Sequence, residues 1–173
     1  MAPVLDAWLD DRSRDADPIL AELETRAVER NFPAVGPQVG RLLDLLVRAT
    51  GARRVAELGS GFGYSAYWFA RAVGDGGTVQ LTEGDETRLA EAKDALSRGG
   101  FVDRCRFHCG DALAWARDAT PGWDILFCDV DKDGYPEVPD LAARLVPPGG
   151  LLIFDNVLWS GRFLDGARDD PAT

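Results

Sequence analysis

The residues best suited to chemistry lie in two acidic segments in the second half of the chain. Asp129 begins the segment DVDKD, and Asp155 and Asn156 form the other. One crossover helix fits between these segments, so we expect them at the ends of neighbouring strands about 5 Å apart. Two carboxylates and a carboxamide form an all-oxygen set that suits Mg²⁺ or a similar divalent cation. The alternative is an acidic surface loop with its own salt bridge.

Lys132 follows Asp129 closely, which places an ammonium group beside these carboxylates. The chain has 17 arginines but only two lysines, Lys93 and Lys132. Arginine keeps its proton at any useful pH, whereas lysine can be tuned to lose it. The lysine at this position therefore favours a chemical role.

A glycine-rich segment, residues 57–65, precedes these acids in the chain and reads ELGSGFGYS. Glycines at alternate positions leave the backbone bare where a ligand must lie close, and they tolerate positive φ. The spacing is G-x-G-x-G and not the dinucleotide pattern G-x-G-x-x-G, which disfavours an NAD-dependent oxidoreductase. The alternative is a tight strand-to-helix turn that binds no ligand.

Two further acids follow predicted strands. Glu83 could accept two hydrogen bonds from a ribose diol, or it could be a solvated cap. Asp111 could face the same site or cap the helix that follows it. The sequence pattern does not choose between these alternatives.

The elements that must position these residues follow from hydrophobic periodicity. The first fifty residues predict three helices: 2–10, one that begins at Pro18 after the cap Asp17, and one that ends at Gly51. Predicted strands are 54–58, 78–82, 104–109, 123–128 and 151–155, separated by helices 64–73, 86–98, 112–119 and 136–145. With right-handed crossovers this is a doubly wound α/β fold around a parallel sheet, with ligands at the carboxyl ends of the strands.

Composition bounds the class of protein. The 173 residues are 46% hydrophobic and 28% charged, as in a soluble globular domain. We expect one domain, made of N-terminal helices (1–50), an α/β core (51–156) and a loop and tail (157–173). The net charge of −10 argues against nucleic acid or an anionic membrane surface as the partner. No apolar run reaches the roughly 20 residues of a membrane span.

Other conspicuous residues are interpreted as structural. Three cysteines cannot all pair, which favours reduced thiols and a cytoplasmic location. Cys105, His108 and Cys109 could suggest zinc, but strand alternation separates the histidine from both cysteines and a fourth ligand is lacking. Trp68 is expected in the packing, and Trp159 is either a substrate wall or a packing residue.

Three segments together resemble a known family. Residues 57–65, residues 129–135 (DVDKDGY) and residues 155–161 (DNVLWSG) resemble the cation-dependent O-methyltransferases of the catechol and caffeoyl-CoA type. The resemblance runs from about residue 32 to residue 163. It implies a Rossmann-like class I methyltransferase fold. It also implies metal-assisted transfer of a methyl group from S-adenosylmethionine to a hydroxyl of a small catechol-like or hydroxycinnamoyl-type acceptor.

The resemblance also implies residue roles. Asp129, Asp155 and Asn156 match the metal ligands, and Lys132 matches the general base, so Lys132 and Asp129 are the candidate catalytic pair. Glu83 matches the acid that binds the ribose. The remaining candidate cofactor-binding residues are Val35, Glu57, Gly59, Ser60, Ser65, Asp111, Ala112 and Asp131.

The chain also departs from the family pattern. Ser60-Gly61-Phe62 stands where the family usually shows Thr-Phe-Thr, and family members normally continue past Thr173 with a final helix and an antiparallel pair of strands. We therefore expect an open edge at the fifth strand, which favours a homodimer or other association near that edge. The rival interpretation from another class is a non-catalytic module that binds the cofactor or a partner chain.

Overall fold

The structure, a computed structural model, describes residues 3–157. The predicted tail after Val157, which includes Trp159, lies outside the described residues. Seven α-helices and five strands are described there: α1 Pro3–Ser13, α2 Pro18–Glu29, α3 Gly36–Thr50, β1 Arg54–Leu58, α4 Tyr64–Ala72, β2 Thr78–Glu83, α5 Glu86–Arg98, β3 Cys105–Cys109, α6 Ala112–Asp118, β4 Ile125–Cys128, α7 Val138–Leu145 and β5 Leu151–Phe154. None of these helices is long and apolar enough to cross a membrane.

The five strands form one parallel sheet in the order β3-β2-β1-β4-β5. The chain moves outward from β1 in one direction and then, after β3, returns to the other side with β4. This reversal confirms the doubly wound fold and places the switch point between β1 and β4. The register aligns Leu58, Cys128 and Phe154 across three strands. Gly59, Asp129 and Asp155 therefore leave the sheet side by side.

Local chemistry explains where the N-terminal helices begin and end. The Asp17 carboxylate accepts a hydrogen bond from the Ile19 amide at 2.9 Å, and Pro18 fills the first turn of α2. Gly51 adopts φ 68° and ends α3 in the left-handed conformation that glycine tolerates. Both predicted boundaries are confirmed.

The segment after β4 differs from the prediction. A 3₁₀ helix, Lys132–Glu137, begins earlier than the helix expected at 136–145, and α7 follows it. Pro139 has no amide proton to donate to the Tyr135 carbonyl, which accepts instead from the Val138 amide, so the α-helix begins only at Val138. This tight turn carries Lys132.

The core has two parts, one on each face of the sheet. On one face α2 and α3 cover α4, whose Trp68 and Phe69 side chains are fully buried, as the sequence predicts. On the other face α6 and α7 cover Leu58 and Leu126. Layers on both faces hold the sheet rigidly, so the strand ends provide a stable platform for a site.

Candidate functional site

One cleft of about 780 Å³ lies beyond the carboxyl ends of the strands. It extends across the switch point, where the fold predicts a ligand. Every candidate site residue from the sequence lines this cleft except Glu57. Its lining includes Val35, Gly59, Ser60, Ser65, Glu83, Asp111, Ala112, Asp129, Asp131, Lys132, Asp155 and Asn156.

The glycine-rich turn forms the floor of the cleft, and its glycines also have a packing role. Gly59 has φ 85°, and a Cβ at this position would collide with the backbone carbonyl of Asp129. Gly61 has φ 51°, and a Cβ there would lie 2.8 Å from the Phe32 ring. Larger residues are therefore excluded by neighbouring protein atoms as well as by backbone conformation. The glycine pattern reflects this packing in addition to the cleft.

Glu83 connects the glycine-rich turn to β2. Its carboxylate accepts hydrogen bonds from the amides of Gly61 and Asp85, both at 2.9 Å, and Arg88 lies 3.5 Å away. A carboxylate offers about four acceptor positions, so Glu83 retains capacity for a ligand hydroxyl. The structure thus gives Glu83 an anchoring role that the sequence did not indicate, on the wall of the cleft where the sequence placed it.

Glu57 is the one candidate that the structure removes from the surface of the cleft. It is fully buried on β1, and the Ser65 hydroxyl donates a hydrogen bond to Oε1. Oε2 has no hydrogen-bond partner. Burial raises the pKa of Glu57 to about 7, opposed by the nearby Ser60 and Ser65 hydroxyls. Glu57 therefore supports the turn from below, and Ser65 lies between it and the cleft.

The stability of the protein should depend on pH through Glu57. Because its folded pKa lies above the ordinary value of 4.5, its contribution is fully favourable below pH 4.5 and is lost as pH rises through about 7. We expect Glu57→Gln to show a flatter decline in the free energy of unfolding between pH 5 and pH 8 than the parent. Urea denaturation at both pH values measures this slope. Parallel declines in the two proteins would contradict the assignment.

Asp111 fulfils both of the roles that the sequence left open. Its carboxylate accepts a hydrogen bond from the Ala114 amide at 2.5 Å and so caps α6, and the residue also lines the cleft. Ala112 is the first residue of that helix and lies on the same wall. Val35 contributes from the turn that precedes α3, on the opposite side.

Asp129 and Asp155 are brought together at one end of the cleft. Backbone hydrogen bonds from the Asp129 amide to the Leu58 carbonyl (2.8 Å) and from the Asp155 amide to the Cys128 carbonyl (3.0 Å) extend the sheet register to both acids. Burial, with the charge of Asp155, raises the pKa of Asp129 to about 6, while Lys132 opposes the shift. Burial also raises the pKa of Asp155. Two acids with raised pKa values are poorly stabilised in the free protein and favour an added positive charge.

Asn156 follows directly and has φ 54°, in the left-handed region that asparagine tolerates better than most residues. The donor set at this end is therefore two carboxylates and a carboxamide, the oxygen chemistry that suits Mg²⁺. No group of three or more His, Cys, Asp or Glu side chains between residues 3 and 157 is arranged to hold a metal ion. A cation held here would have Asp129, Asp155 and Asn156 as its protein ligands, and water would fill its remaining positions.

Lys132 reaches the same end of the cleft from the 3₁₀ helix. Its Nζ donates hydrogen bonds to the Tyr135 hydroxyl at 2.5 Å and to the Asp155 carbonyl at 3.3 Å. The Tyr135 hydroxyl in turn donates to the Asp155 carbonyl at 2.7 Å. The lysine is therefore held at a defined position, near enough to both acids for its charge to oppose the rise of their pKa values.

Among the residues that sequence reasoning missed are Phe32 and Arg88, which line the cleft, and Tyr135, whose hydroxyl is hydrogen-bonded to Lys132 and Asp155. The Phe32 ring lies 4.8 Å from that of Phe62, and the Arg88 guanidinium lies 5.3 Å from the Phe32 centroid. Arg88 could have been found, because the first turn of a helix after a strand end faces the cleft. Phe32 gave no signal, because its partners are distant in the sequence.

Comparisons with known proteins agree with this geometry. A family model of O-methyltransferases matches residues 10–173. The catechol O-methyltransferase of Mycobacterium tuberculosis is 34% identical over 173 residues, which cover 98% of this chain and 79% of that protein.

Two solved structures are similar over nearly the whole chain. The O-methyltransferase TomG of Streptomyces achromogenes, in complex with S-adenosylmethionine, has a TM-score of 0.87 at 29% identity and covers 98% of this chain and 78% of its own. The O-methyltransferase of Bacillus cereus, in complex with S-adenosylhomocysteine, has a TM-score of 0.86 at 32% identity, with coverages of 98% and 80%.

Proposed function

Because the chain belongs to the O-methyltransferase family, we propose that it methylates a small molecule with adjacent hydroxyls, of the catechol or hydroxycinnamoyl type, with the help of a divalent cation. Use of S-adenosylmethionine as the methyl donor follows from the family and from the relatives that bind it. The acceptor class and the cation are our proposal. One observation carries it: Asp129, Asp155 and Lys132 converge at one end of the same cleft that Glu83 lines at the other.

The cofactor fits the end of the cleft bounded by β1, β2 and α6. Glu83 has acceptor capacity for the ribose hydroxyls, and Ala112 lies where an adenine could pack. Ser60, Ser65 and the glycine-rich turn leave room for the methionine portion. A cofactor bound there would leave the end of the cleft near Asp129 and Lys132 for the acceptor.

The acceptor fits the acidic end. Asp129, Asp155 and Asn156 would hold a divalent cation, which supplies a positive charge that lowers the pKa of a neighbouring hydroxyl. The name of one relative, a catechol O-methyltransferase, supports an acceptor with adjacent hydroxyls. An acidic surface with a net charge of −10 also favours a small molecule over nucleic acid.

Lys132 would act as the general base: after its ammonium gives a proton to solvent, the free amine would take the proton of the acceptor hydroxyl. The oxygen would then form a bond to the methyl carbon of the donor as the carbon–sulfur bond breaks, with the electron pair of that bond staying on sulfur. The products are a methyl ether, S-adenosylhomocysteine and a protonated lysine. Much of the rate comes from holding both reactants in line.

Binding of S-adenosylhomocysteine tests the cofactor end of this proposal. We expect Glu83→Gln to weaken its affinity by about 1–3 kcal/mol, the cost of losing charged hydrogen bonds to the ribose. Glutamine is preferred to alanine because its carbonyl can still accept a bond from the Gly61 or Asp85 amide. Calorimetry measures the affinity, and NAD serves as the comparison ligand that should not bind.

Glu86→Gln is the matched control for this experiment. Glu86 is exposed at the start of α5, so the variant removes the same charge three positions from Glu83 without touching the cleft. Its affinity should equal that of the parent. If Glu83→Gln binds as tightly as Glu86→Gln, Glu83 does not contact the cofactor. Turnover with a catechol then separates an enzyme from a non-catalytic cofactor-binding module.

Two further features of the protein belong to the proposal. Cys105, Cys109 and Cys128 are free thiols, which supports a reducing, cytoplasmic location. Apolar side chains such as Trp8 and Leu45 are exposed on the N-terminal helices, which supports a homodimer.

A further inference from the structure

We propose that Tyr135 is a positioning residue that sets both Lys132 and the backbone carrying Asp155 and Asn156. The inference rests on the proposed function, because it assigns a role relative to the proposed base and cation ligands. It concerns a residue that does not itself line the cleft, although its hydroxyl contacts two residues that do, Lys132 and Asp155.

The 3₁₀ geometry of residues Lys132–Glu137 explains why the two side chains meet. In a 3₁₀ helix, with three residues per turn, side chains at i and i+3 lie directly above one another. Lys132 and Tyr135 have this spacing, and the Lys132 Nζ lies 4.1 Å from the centroid of the Tyr135 ring. The 3₁₀ conformation of this segment therefore brings the two side chains together.

The direction of each hydrogen bond follows from the groups involved. An ammonium has only donors, so the Tyr135 oxygen accepts from Lys132. The single proton of the hydroxyl is then free for the Asp155 carbonyl, 2.7 Å away. Lys132 also donates to that carbonyl at 3.3 Å, which closes a three-membered network. Loss of the Tyr135 hydroxyl removes two of the three hydrogen bonds in this network.

Packing holds the tyrosine ring in place. The ring is half-buried and lies 5.1 Å from the ring of Phe154, at the end of β5. Phe154 directly precedes Asp155, so the same strand end supplies the ring contact and the carbonyl acceptor. Tyr135 thereby connects the 3₁₀ helix that follows β4 to the end of β5.

The acceptor carbonyl gives the network a second consequence. The Asp155 carbonyl belongs to the peptide that leads into Asn156, whose φ is 54°. A hydrogen bond from Tyr135 to that carbonyl fixes the orientation of the peptide between two proposed cation ligands. Residues that orient metal ligands typically contribute about 10–100-fold to metal affinity or activity. Tyr135 is thus placed to orient the base and the ligands together.

Tyr135→Phe tests the inference in the full chain, because the ring against Phe154 is kept and only the hydroxyl is lost. We expect turnover to fall about 10–100-fold, with a weaker Mn²⁺ affinity measured by electron paramagnetic resonance. Affinity for S-adenosylhomocysteine should stay within about twofold, because Tyr135 does not line the cleft. Tyr67→Phe is the matched control, because its hydroxyl donates to Asp17, away from the cleft.

A spectroscopic readout reports on Lys132 without activity or metal. The chain has two lysines, so ¹³C labelling at lysine Cε gives two signals, and Lys132→Arg identifies the one from Lys132. In the parent the held side chain should give inequivalent Cε protons. Tyr135→Phe should average them, and Tyr67→Phe should not. Tyr135→His, whose shorter ring cannot make both contacts, provides a second variant with the same expected averaging.

The outcomes separate this inference from the proposed function. An unchanged Lys132 signal in Tyr135→Phe overturns the positioning role whatever the turnover. A changed signal with turnover and Mn²⁺ affinity within twofold of the parent overturns it as well, because position would then have no effect. If the parent itself transfers no methyl group, the proposed function fails, and the signal together with Mn²⁺ affinity still decides the role of Tyr135.

Discussion

Chelation of divalent cations by EDTA is expected to abolish methyl transfer by this protein and to leave cofactor binding largely intact. Asp155→Ala should reproduce that loss, because it removes one of the two carboxylates proposed to hold the cation. A catalytic cation supplies several kcal/mol of transition-state stabilisation, so we expect a fall in turnover of about 10²–10⁴-fold. The measurement is methyl transfer to a catechol with and without EDTA, beside calorimetry with S-adenosylhomocysteine.

The variant should fold, since burial raises the pKa of Asp155 and the folded state therefore gains nothing from its charge. Asp140→Ala is the matched control. Asp140 is exposed on α7, and its loss changes the net charge by the same amount. Full turnover in EDTA, or equal turnover in Asp155→Ala and Asp140→Ala, would rule out a role for the cation.

Lys132→Arg is expected to lower turnover at pH 7 by about 10²–10⁴-fold, the usual contribution of a general base. The positive charge beside Asp129 and Asp155 is kept, so electrostatic support of the acids survives. A guanidinium cannot accept the hydroxyl proton at neutral pH, and that step is lost. The deficit should shrink toward pH 10, where a phenolic hydroxyl ionises without a base.

Lys93→Arg makes the same substitution at the only other lysine of the chain, on α5. Its turnover should match that of the parent across the pH range. S-adenosylhomocysteine affinity should be equal in all three proteins, which isolates the effect to the chemical step. If Lys132→Arg equals Lys93→Arg at pH 7, Lys132 acts only as an electrostatic neighbour of the two acids.

The order of helices and strands, and the residues at the strand ends, could be predicted from the sequence alone. The spacing of apolar residues and the residues that begin or end helices are local properties of the sequence. Asp17 caps the start of α2 with its side chain, and Gly51 ends α3 through its left-handed backbone conformation. A buried parallel strand appears as a short apolar run, and the acids that end it stand out. The meeting of Asp129 and Asp155 followed because neighbouring parallel strands end at the same edge.

Residues that contact through space but lie far apart in the chain could not be predicted in this way. Glu57 has the same sequence signal as a cleft residue, yet the sheet buries it below the turn, where its pKa rises. Phe32 lies in the segment that follows α2 and packs on Gly61, a contact that no local pattern encodes. Burial depends on what covers a side chain, and that is decided only when the layers assemble.

The hydrogen bonds among Lys132, Tyr135 and Asp155 show most clearly what the sequence determines and what the tertiary structure adds. Sequence alone placed a lysine beside the acids, because its position after β4 and the scarcity of lysine were both visible. Only the tertiary structure decided where its ammonium lies, because the 3₁₀ turn aligns it with Tyr135 and the end of β5 supplies the shared carbonyl. The sequence determines which residue stands at each position. The orientation of the Lys132 side chain depends on hydrogen bonds between elements that meet only in the folded protein.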